Sequence, residues 1–142
     1  MSVSVYINFR GNCREAVDFY AEAFQVSKQP IMTFGDAPAD PNFPLSEESK
    51  KMIMHTFLII HEMKFMFSDT PAEMPLTQGD NITIVINSKD MDEIKSVYSK
   101  LKEGGTIQME LGETFWSKCY GSLTDKFGVG WQLSYENEQT NM

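Results

Sequence analysis

Cysteine and histidine are scarce in this chain, with two residues of each among 142. Cys13 and Cys119 are too few for a disulfide framework, so the sequence predicts a reduced, cytoplasmic protein. His55 and His61 are six residues apart, which on one ideal strand is about 20 Å and too far for a shared metal ion.

Positive charge and long apolar runs are also scarce. The chain has 12 Lys and Arg against 20 Asp and Glu, a net charge of −8. Phosphate binding needs clustered Lys and Arg, so this balance argues against nucleic acid and against an anionic membrane surface as partners. No apolar run approaches the roughly 20 residues of a membrane span. The opening MSVSVYINFR lacks the pattern of a secretory signal peptide.

The chain does contain two successive sets of elements in the same order. The first set predicts a strand, a helix and three strands at residues 3–9, 12–24, 26–34, 54–60 and 64–68. Asn12 is a good N-cap, and Glu15 completes a capping box with it. Pro30 interrupts the second strand and indicates an edge position. Residues 35–51 contain three prolines and no periodicity, which predicts a loop that is either disordered or functional, for example as a lid.

The second set predicts the same order at residues 81–87, 90–101, 106–111, 116–124 and 129–135. A shift of 78 positions places Asn12 on Asp90, Glu15 on Glu93 and Tyr20 on Tyr98, and Gly104 with Gly105 ends the helix. The sequence therefore predicts an α+β fold of two tandem βαβββ modules, at about 1–70 and about 80–136. We expect one domain over 1–142, with a flexible tail at 137–142.

Residues 113–133, ETFWSKCYGSLTDKFGVGWQL, hold both tryptophans and one cysteine. Asp125 and Gly128 predict a tight turn between two aromatic strands. Glu113 and Asp125 are a candidate carboxylate pair, but the simpler role for Asp125 is to cap this turn. Trp131 is predicted to lie in the core. Trp116 and Tyr120 share a strand face, which is compatible with either a core or a cleft position.

The duplicated module resembles the vicinal oxygen chelate superfamily, which includes glyoxalase I, bleomycin-resistance proteins and extradiol dioxygenases. It is most similar to the PhnB-like branch, whose members are often labelled demethylubiquinone methyltransferases. The resemblance extends from Val5 to about Tyr135, and its motifs are YINF with GNC near the start, FGD with Pro38, ETFW, and TDKFGV with Trp131. It implies curled mixed sheets around a cleft, and a homodimer. The Gly-rich turn of adenosylmethionine enzymes is missing after the first strand, so methyl transfer is not expected.

The resemblance also implies where a metal would bind. Metal-using relatives hold one divalent ion with His, Glu or Gln side chains on the first and last strands of each module. The matching positions fall at about Val5, Met66, Thr83 and Gln132. Only Gln132 is a suitable ligand, and the nearby Asn8, Asn81 and Asp69 add no histidine. The resemblance therefore predicts no metal here, and we expect no other cofactor.

Six residues are candidates for ligand binding: Phe9, His55, Phe115, Trp116, Tyr120 and Gln132. His55 is also a candidate acid–base group, although an ordinary strand histidine explains it as well. His61 is expected to be exposed in a turn. Cys13 and Cys119 are expected to be buried and structural.

Two functions from different classes follow from these residues. The first is a metal-independent binding protein for a small aromatic or cationic molecule, because aromatic rings and carboxylates suit such a ligand. The alternative is a glyoxalase-type lyase or isomerase that uses a displaced metal site or His55 as acid–base. A homodimer with a vestigial cleft is a third, weaker interpretation.

Overall fold

The computed structural model describes residues 1–136, and these form two compact units. The first unit is Met1–Thr77 and the second begins at Gln78. The predicted tail at 137–142 lies outside the described residues, and the prediction of a single domain stays a prediction. No helix within residues 1–136 has both the length and the apolar character that a membrane crossing requires.

The first unit is a four-stranded sheet with a helix on one face. Its elements are β1 (Val5–Phe9), α1 (Cys13–Phe24), β2 (Met32–Thr33), α2 (Glu47–Lys50), β3 (Ile53–Ile60) and β4 (Met63–Asp69). The sheet order is β1-β4-β3-β2, with β1 parallel to β4 and the other pairs antiparallel. Tyr20 of α1 stacks on Phe67 of β4 with ring centroids 5.9 Å apart, and both residues are buried.

The second unit repeats this arrangement. Its elements are β5 (Thr83–Ser88), α3 (Met91–Leu101), β6 (Thr106–Gly112), β7 (Tyr120–Thr124) and β8 (Gly130–Tyr135). The sheet order is β5-β8-β7-β6, again with one parallel pair, β5 and β8, and two antiparallel pairs. The predicted α+β fold of two βαβββ modules is therefore confirmed. Each sheet is open, with two edge strands, and the cleft expected from the resemblance stays a prediction.

The predicted cap of α1 is wrong. Asn12 makes no side-chain capping hydrogen bond. Its place is taken by Asp69 at the end of β4, whose Oδ1 accepts from the Cys13 amide at 3.0 Å, while Oδ2 accepts from the Ile53 amide at 3.0 Å. The tertiary structure brings a stronger, charged acceptor to the helix N-terminus than the local asparagine offers. In α3 the predicted cap is confirmed, because Asp90 accepts from the amides of Asp92 and Glu93.

The second predicted strand is also much shorter than expected. Only Met32–Thr33 pair with β3, at the edge of the sheet, and a 3₁₀ turn follows at Phe34–Asp36. Pro30 has no amide hydrogen to donate to a neighbouring strand, and its carbonyl instead accepts from the Thr56 hydroxyl at 3.1 Å. The β3–β4 turn contains His61 and Glu62, both exposed with positive φ, so the predicted exposure of His61 is confirmed.

Both cysteines are buried, as expected, and both are free thiols. Burial raises the pKa of the Cys13 thiol from 9.0 to about 12, and the charge of Asp69 adds to the effect. Burial also raises the pKa of Cys119. A neutral thiol is therefore favoured by folding, and the first turn of α1 does not activate Cys13 as a nucleophile.

The native protein is expected to resist thiol modification. At pH 8, the raised pKa lowers the thiolate fraction of Cys13 about a thousandfold relative to an exposed thiol, and burial blocks the reagent as well. Labelling with a chromogenic disulfide should therefore be slow in buffer and complete in guanidinium. The unfolded chain loses this proton near pH 9, so stability should fall as the pH rises from 9 towards 12. Rapid labelling of Cys13 in buffer would contradict this description of the site.

Candidate functional site

The face of the second sheet that does not pack on α3 carries a polar cluster. Side chains alternate between the two faces of a strand, so Leu123, Trp131 and Leu133 are buried while their neighbours face away from the core. We call this cluster the second-sheet site and define it by Thr83, Tyr120, Ser122 and Gln132, with the adjoining rings of Phe115 and Trp116. Trp131 lies in the core as predicted.

A chain of hydrogen bonds runs across three strands at this site. The Tyr120 hydroxyl donates to Oε1 of Gln132 at 2.6 Å, and Nε2 of Gln132 donates to the Thr83 hydroxyl at 2.8 Å. The register explains the contact, because β8 lies between β5 and β7 and places Gln132 opposite Val85 and Ser122. Both ends of the Gln132 amide are engaged, so its orientation is fixed.

A cavity of about 270 Å³ opens beside this chain of hydrogen bonds. Gly130 makes room for it, because a Cβ there would come within 2.9 Å of Cγ2 of Thr83. Its lining is about half polar: Asp80, Thr83, Ser122, Thr124 and Gln132 lie beside Tyr120, and Leu123 and Trp131 add apolar surface. Hydroxyl, amide and carboxylate groups therefore meet in one small space.

Two further aromatic rings, Trp116 and Phe115, continue from Tyr120 towards solvent. Trp116 meets Tyr120 edge to face, with ring centroids 5.2 Å apart, and Phe115 meets Trp116 in the same way at 4.7 Å. Trp116 is half-buried, whereas Phe115 is 96% exposed. Trp116 therefore adjoins the polar site and does not belong to the core, which answers the question that the sequence left open.

The segment that presents these rings is not a strand, although residues 116–119 were predicted to belong to one. The Thr114 hydroxyl accepts from the amides of Trp116 and Ser117, and the Thr114 amide donates to the Ser117 carbonyl at 2.9 Å. The oxygen of the buried Ser117 hydroxyl also lies 3.0 Å from the carbonyls of both Cys119 and Tyr135, so its single hydrogen can be donated to either one. This local turn interrupts the ladder and turns Phe115 and Trp116 outwards.

Glu113 and Asp125, the candidate carboxylate pair of the sequence analysis, lie at opposite ends of β7. Asp125 is 3% exposed, and its Oδ1 accepts from the amides of Phe127 and Val129. Its Oδ2 accepts from Nε1 of Trp131 at 2.8 Å. Glu113 is exposed and lies at the opposite end of β7. Asp125 therefore caps the turn, as the simpler interpretation predicted.

Two of the six candidate ligand-binding residues lie in the first unit. Phe9 is 4% exposed and packs its ring against Phe67 at 6.4 Å, so its position is that of a core residue. His55 is half-buried on the face of β3 opposite α1, between the rings of Tyr6 and Phe57 at 6.1 and 6.4 Å. The structure thus brings Phe115, Trp116, Tyr120 and Gln132 together within the second unit, whereas Phe9 and His55 belong to the first unit.

The residues at the metal positions that the resemblance predicts do not fit a divalent ion. In the first unit Val5 pairs with Phe65 and Tyr6 with Met66, so the side chains of Val5 and Met66 face opposite sides of the sheet and could not share one ion. In the second unit the amide of Gln132 is occupied at both ends. Among residues 1–136, no three His, Cys, Asp or Glu side chains form a group that could hold a metal. We derive no chemistry through a metal at these positions.

Sequence reasoning missed the residues that shape the site. The spacing of Thr114 and Ser117 is typical of a turn stabilised by a side-chain hydroxyl, so this turn could have been predicted from the sequence. Ser122 carried no signal of its own, since it is recognisable only once β7 is aligned with β8.

Comparison with known proteins identifies relatives over nearly the whole chain. The sequence model of the family described as 3-demethylubiquinone-9 3-methyltransferase matches residues 1–134. Protein YjdN of Escherichia coli (strain K12) is 30% identical over 146 residues, with 98% of each chain covered. The crystal structure of protein PA1353 from Pseudomonas aeruginosa is similar with a TM-score of 0.84 at 32% identity, covering 96% of this chain and 98% of that one.

The methyltransferase in the family description does not fit the residues of this chain. An adenosylmethionine site needs a Gly-rich turn between a strand and the free N-terminus of a helix in a doubly wound sheet. Here β1 leads through Arg10, Gly11 and Asn12 into α1, whose first amide is already bonded to the Asp69 carboxylate. The sheet is also mixed and four-stranded. We therefore derive no methyl-transfer step.

Two further solved structures are similar to this chain in fold, and one of them also in sequence. The PhnB protein from Bacillus cereus has a TM-score of 0.77 at 28% identity, over 96% of this chain and 100% of that one. A glyoxylase/bleomycin resistance protein/dioxygenase domain from Frankia sp. EAN1pec shares the fold with a TM-score of 0.67 at 9% identity, over 98% and 93% of the two chains. The chain therefore belongs to the 3-demethylubiquinone-9 3-methyltransferase family, and it shares the fold of the glyoxylase/bleomycin resistance protein/dioxygenase domain.

Proposed function

We propose that the second-sheet site binds a small aromatic molecule without a metal. One observation supports this proposal. The rings of Phe115, Trp116 and Tyr120 form a continuous row, and the Tyr120 hydroxyl belongs to the hydrogen-bonded chain with Gln132 and Thr83 at the wall of a cavity. An apolar surface beside a few fixed polar groups is the usual composition of a ligand site.

The geometry defines the chemistry of the ligand. A cavity of about 270 Å³ admits a single ring or a side group, not a large cofactor. The exposed surfaces of Phe115 and Trp116 offer edge and face contacts to a further ring, and such contacts favour aromatic over saturated rings. The Ser122 hydroxyl, together with the second N–H and the second Oε1 lone pair of Gln132, would bind a hydroxyl or amide on the ligand. A neutral ring with one polar substituent meets all these requirements.

A matched pair of probes tests the proposal. Benzamide and cyclohexanecarboxamide carry the same amide on an aromatic and a saturated ring. We expect benzamide to raise the melting temperature, to change the tryptophan fluorescence and to bind at least about tenfold more tightly than the saturated analogue. Trp131 is buried in the wall of the cavity and Trp116 is half-buried beside Tyr120, so Trp116→Phe should remove only the part of the fluorescence change that comes from Trp116.

Two variants separate the ring contacts from the polar contacts. Trp116→Ala should weaken benzamide binding about tenfold, and Gln132→Met, which keeps the length of the side chain but not its hydrogen bonds, should weaken it by a similar factor. Val3→Ala, an exposed change in the first unit outside the lining of either cavity, is the control and should have no effect. Equal affinity for the two probes, or unchanged binding in both site variants, would refute the proposal. A homodimer stays a prediction of the resemblance.

A further inference from the structure

A larger cavity, of about 730 Å³, lies in the first unit. It is built from the segment between β2 and β3 and from residues 71–74, so it uses the long proline-containing loop that the sequence analysis singled out. We call it the loop cavity and define it by Phe34, Pro38, Phe43, Leu45, Glu73 and Met74. It shares no lining residue with the cavity of the second-sheet site, and its volume is in the range of small-molecule sites.

One wall of the loop cavity is fixed by an arginine. Nη1 of Arg10 donates to the carbonyls of Thr70, Pro71 and Met74 at 3.3, 2.7 and 2.8 Å. The Met74 amide also donates to the Pro71 carbonyl at 3.0 Å. These contacts tie the short segment after β4 to the end of β1, so the wall is formed before any ligand arrives.

The opposite wall is joined to the first through Ser49. This side chain is 1% exposed, and its hydroxyl lies 3.1 and 3.3 Å from the two carboxylate oxygens of Glu73. Gly35 lets the 3₁₀ turn approach α2 closely, because a Cβ there would come within 3.0 Å of the Lys50 carbonyl. A cavity whose walls are fixed in this way loses little conformational entropy on binding.

The surface of the loop cavity is mainly apolar, and part of it is exposed. Phe43 is 63% and Met74 is 47% exposed, which is unusual for side chains of this size beside a preformed cavity. The rings of Pro38 and Pro41 add rigid apolar surface. An apolar ligand of several carbon atoms would therefore remove a large hydrophobic surface from water.

The charges around the cavity determine which charge is favoured on the polar group of such a ligand. Glu73 and Asp40 contribute carboxylates to the lining, and the groups bonded to them are the neutral Ser49 hydroxyl and the Asn42 amide. Nζ of Lys50, the lysine of the lining, already pairs with Glu47 at 2.9 Å. The charged lining residues, Asp40, Glu73 and Lys50, carry a net charge of −1, and the Arg10 guanidinium behind the wall is bonded to backbone carbonyls. An ammonium group is therefore favoured over a carboxylate at the mouth of the cavity.

From these observations we propose that the loop cavity is a second binding site, for a small apolar molecule with one ammonium group. The apolar body lies against Phe34, Phe43 and Met74, and the ammonium donates to the carboxylate of Glu73. This site is independent of the second-sheet site, so either proposal can fail without the other.

Three probes of one shape and different charge test the proposal: 4-phenylbutylamine, 4-phenylbutan-1-ol and 4-phenylbutyrate. Calorimetric titration of the intact protein should give the tightest binding for the amine and the weakest for the acid, at least about tenfold apart. Comparable or tighter binding of the acid, or no binding of any probe, would overturn the proposal.

Variants assign the binding to named groups. Glu73→Gln keeps an acceptor for Ser49 and should weaken the amine about fivefold while leaving the alcohol unchanged. Phe43→Ala should weaken the amine and the alcohol alike, by about fivefold. Both side chains are exposed, so both variants should fold, which circular dichroism checks. Ile107→Ala, an exposed change in the second unit outside the lining of both cavities, is the control and should bind the amine normally. Amine affinity that survives both cavity variants would overturn the assignment.

Discussion

Replacing Asp125 with alanine is expected to lower the free energy of unfolding by about 3–5 kcal/mol. The change removes the acceptor of three donors: the amides of Phe127 and Val129, and Nε1 of Trp131. Trp131 is 1% exposed, so its indole N–H would be left in the core without this partner. Urea denaturation followed by circular dichroism measures the loss, and we expect the melting temperature to fall by roughly 10 °C.

The isosteric variant Asp125→Asn separates charge from shape. Its carbonyl can still accept from the turn amides, but its NH₂ group then faces Nε1 of Trp131, donor against donor. We expect a loss intermediate between those of wild type and alanine. If Asp125→Ala lowers the free energy of unfolding by less than about 1 kcal/mol, water or another group replaces the carboxylate as acceptor. The prediction that this buried carboxylate is important for stability would then be wrong. The turn also sets the register of β7 on β8, so the hydrogen bonds of Gln132 depend on it.

The second large effect is expected from replacing Asp69 with alanine, which should lower the free energy of unfolding by about 2–4 kcal/mol. Asp69 is 4% exposed and is bonded to the amides of Cys13 and Ile53, so it ties the start of α1 and the start of β3 to the end of β4. Its removal leaves two amides without their acceptor and takes a negative charge from the helix N-terminus. Equilibrium denaturation in urea measures the change.

Asn12→Ala is the matched control for this prediction. From the sequence alone, Asn12 is the N-cap and its loss would cost about 1 kcal/mol. In the structure its side chain makes no capping hydrogen bond, so we expect a change of less than about 0.5 kcal/mol. If Asn12→Ala proves as costly as Asp69→Ala, the cap has been assigned to the wrong residue.

The function proposed here differs in kind from the activity in the family description. The resemblance predicts metal positions of the superfamily at Gln132 and Thr83. In the structure Gln132 instead bonds to both Thr83 and Tyr120, and the three side chains form one fixed polar wall. A hydrogen-bonded amide suits the recognition of neutral polar groups better than the binding of an ion.

Local patterns in the sequence predicted most of the elements. Helical spacing of apolar residues located α1 and α3 within one residue of their ends, and alternation located β3, β4, β6 and β8. The shift of 78 positions predicted the duplication, and both sheets have the same strand order. The prediction failed at Asn12 because the side chain of Asp69, from a distant segment, caps α1 instead. It failed at residues 116–119 because the Thr114 hydroxyl stabilises a turn there instead of a strand.

The sequence by itself determined the two modules, the burial of Trp131 and the turn at Asp125, because each follows from the spacing of neighbouring residues. Only the tertiary structure decided which residues meet. Asp69 caps a helix 56 residues earlier in the chain, and Gln132 bonds to Thr83 across 49 residues. Such contacts depend on strand order and register, which fix distances between residues that no local pattern relates.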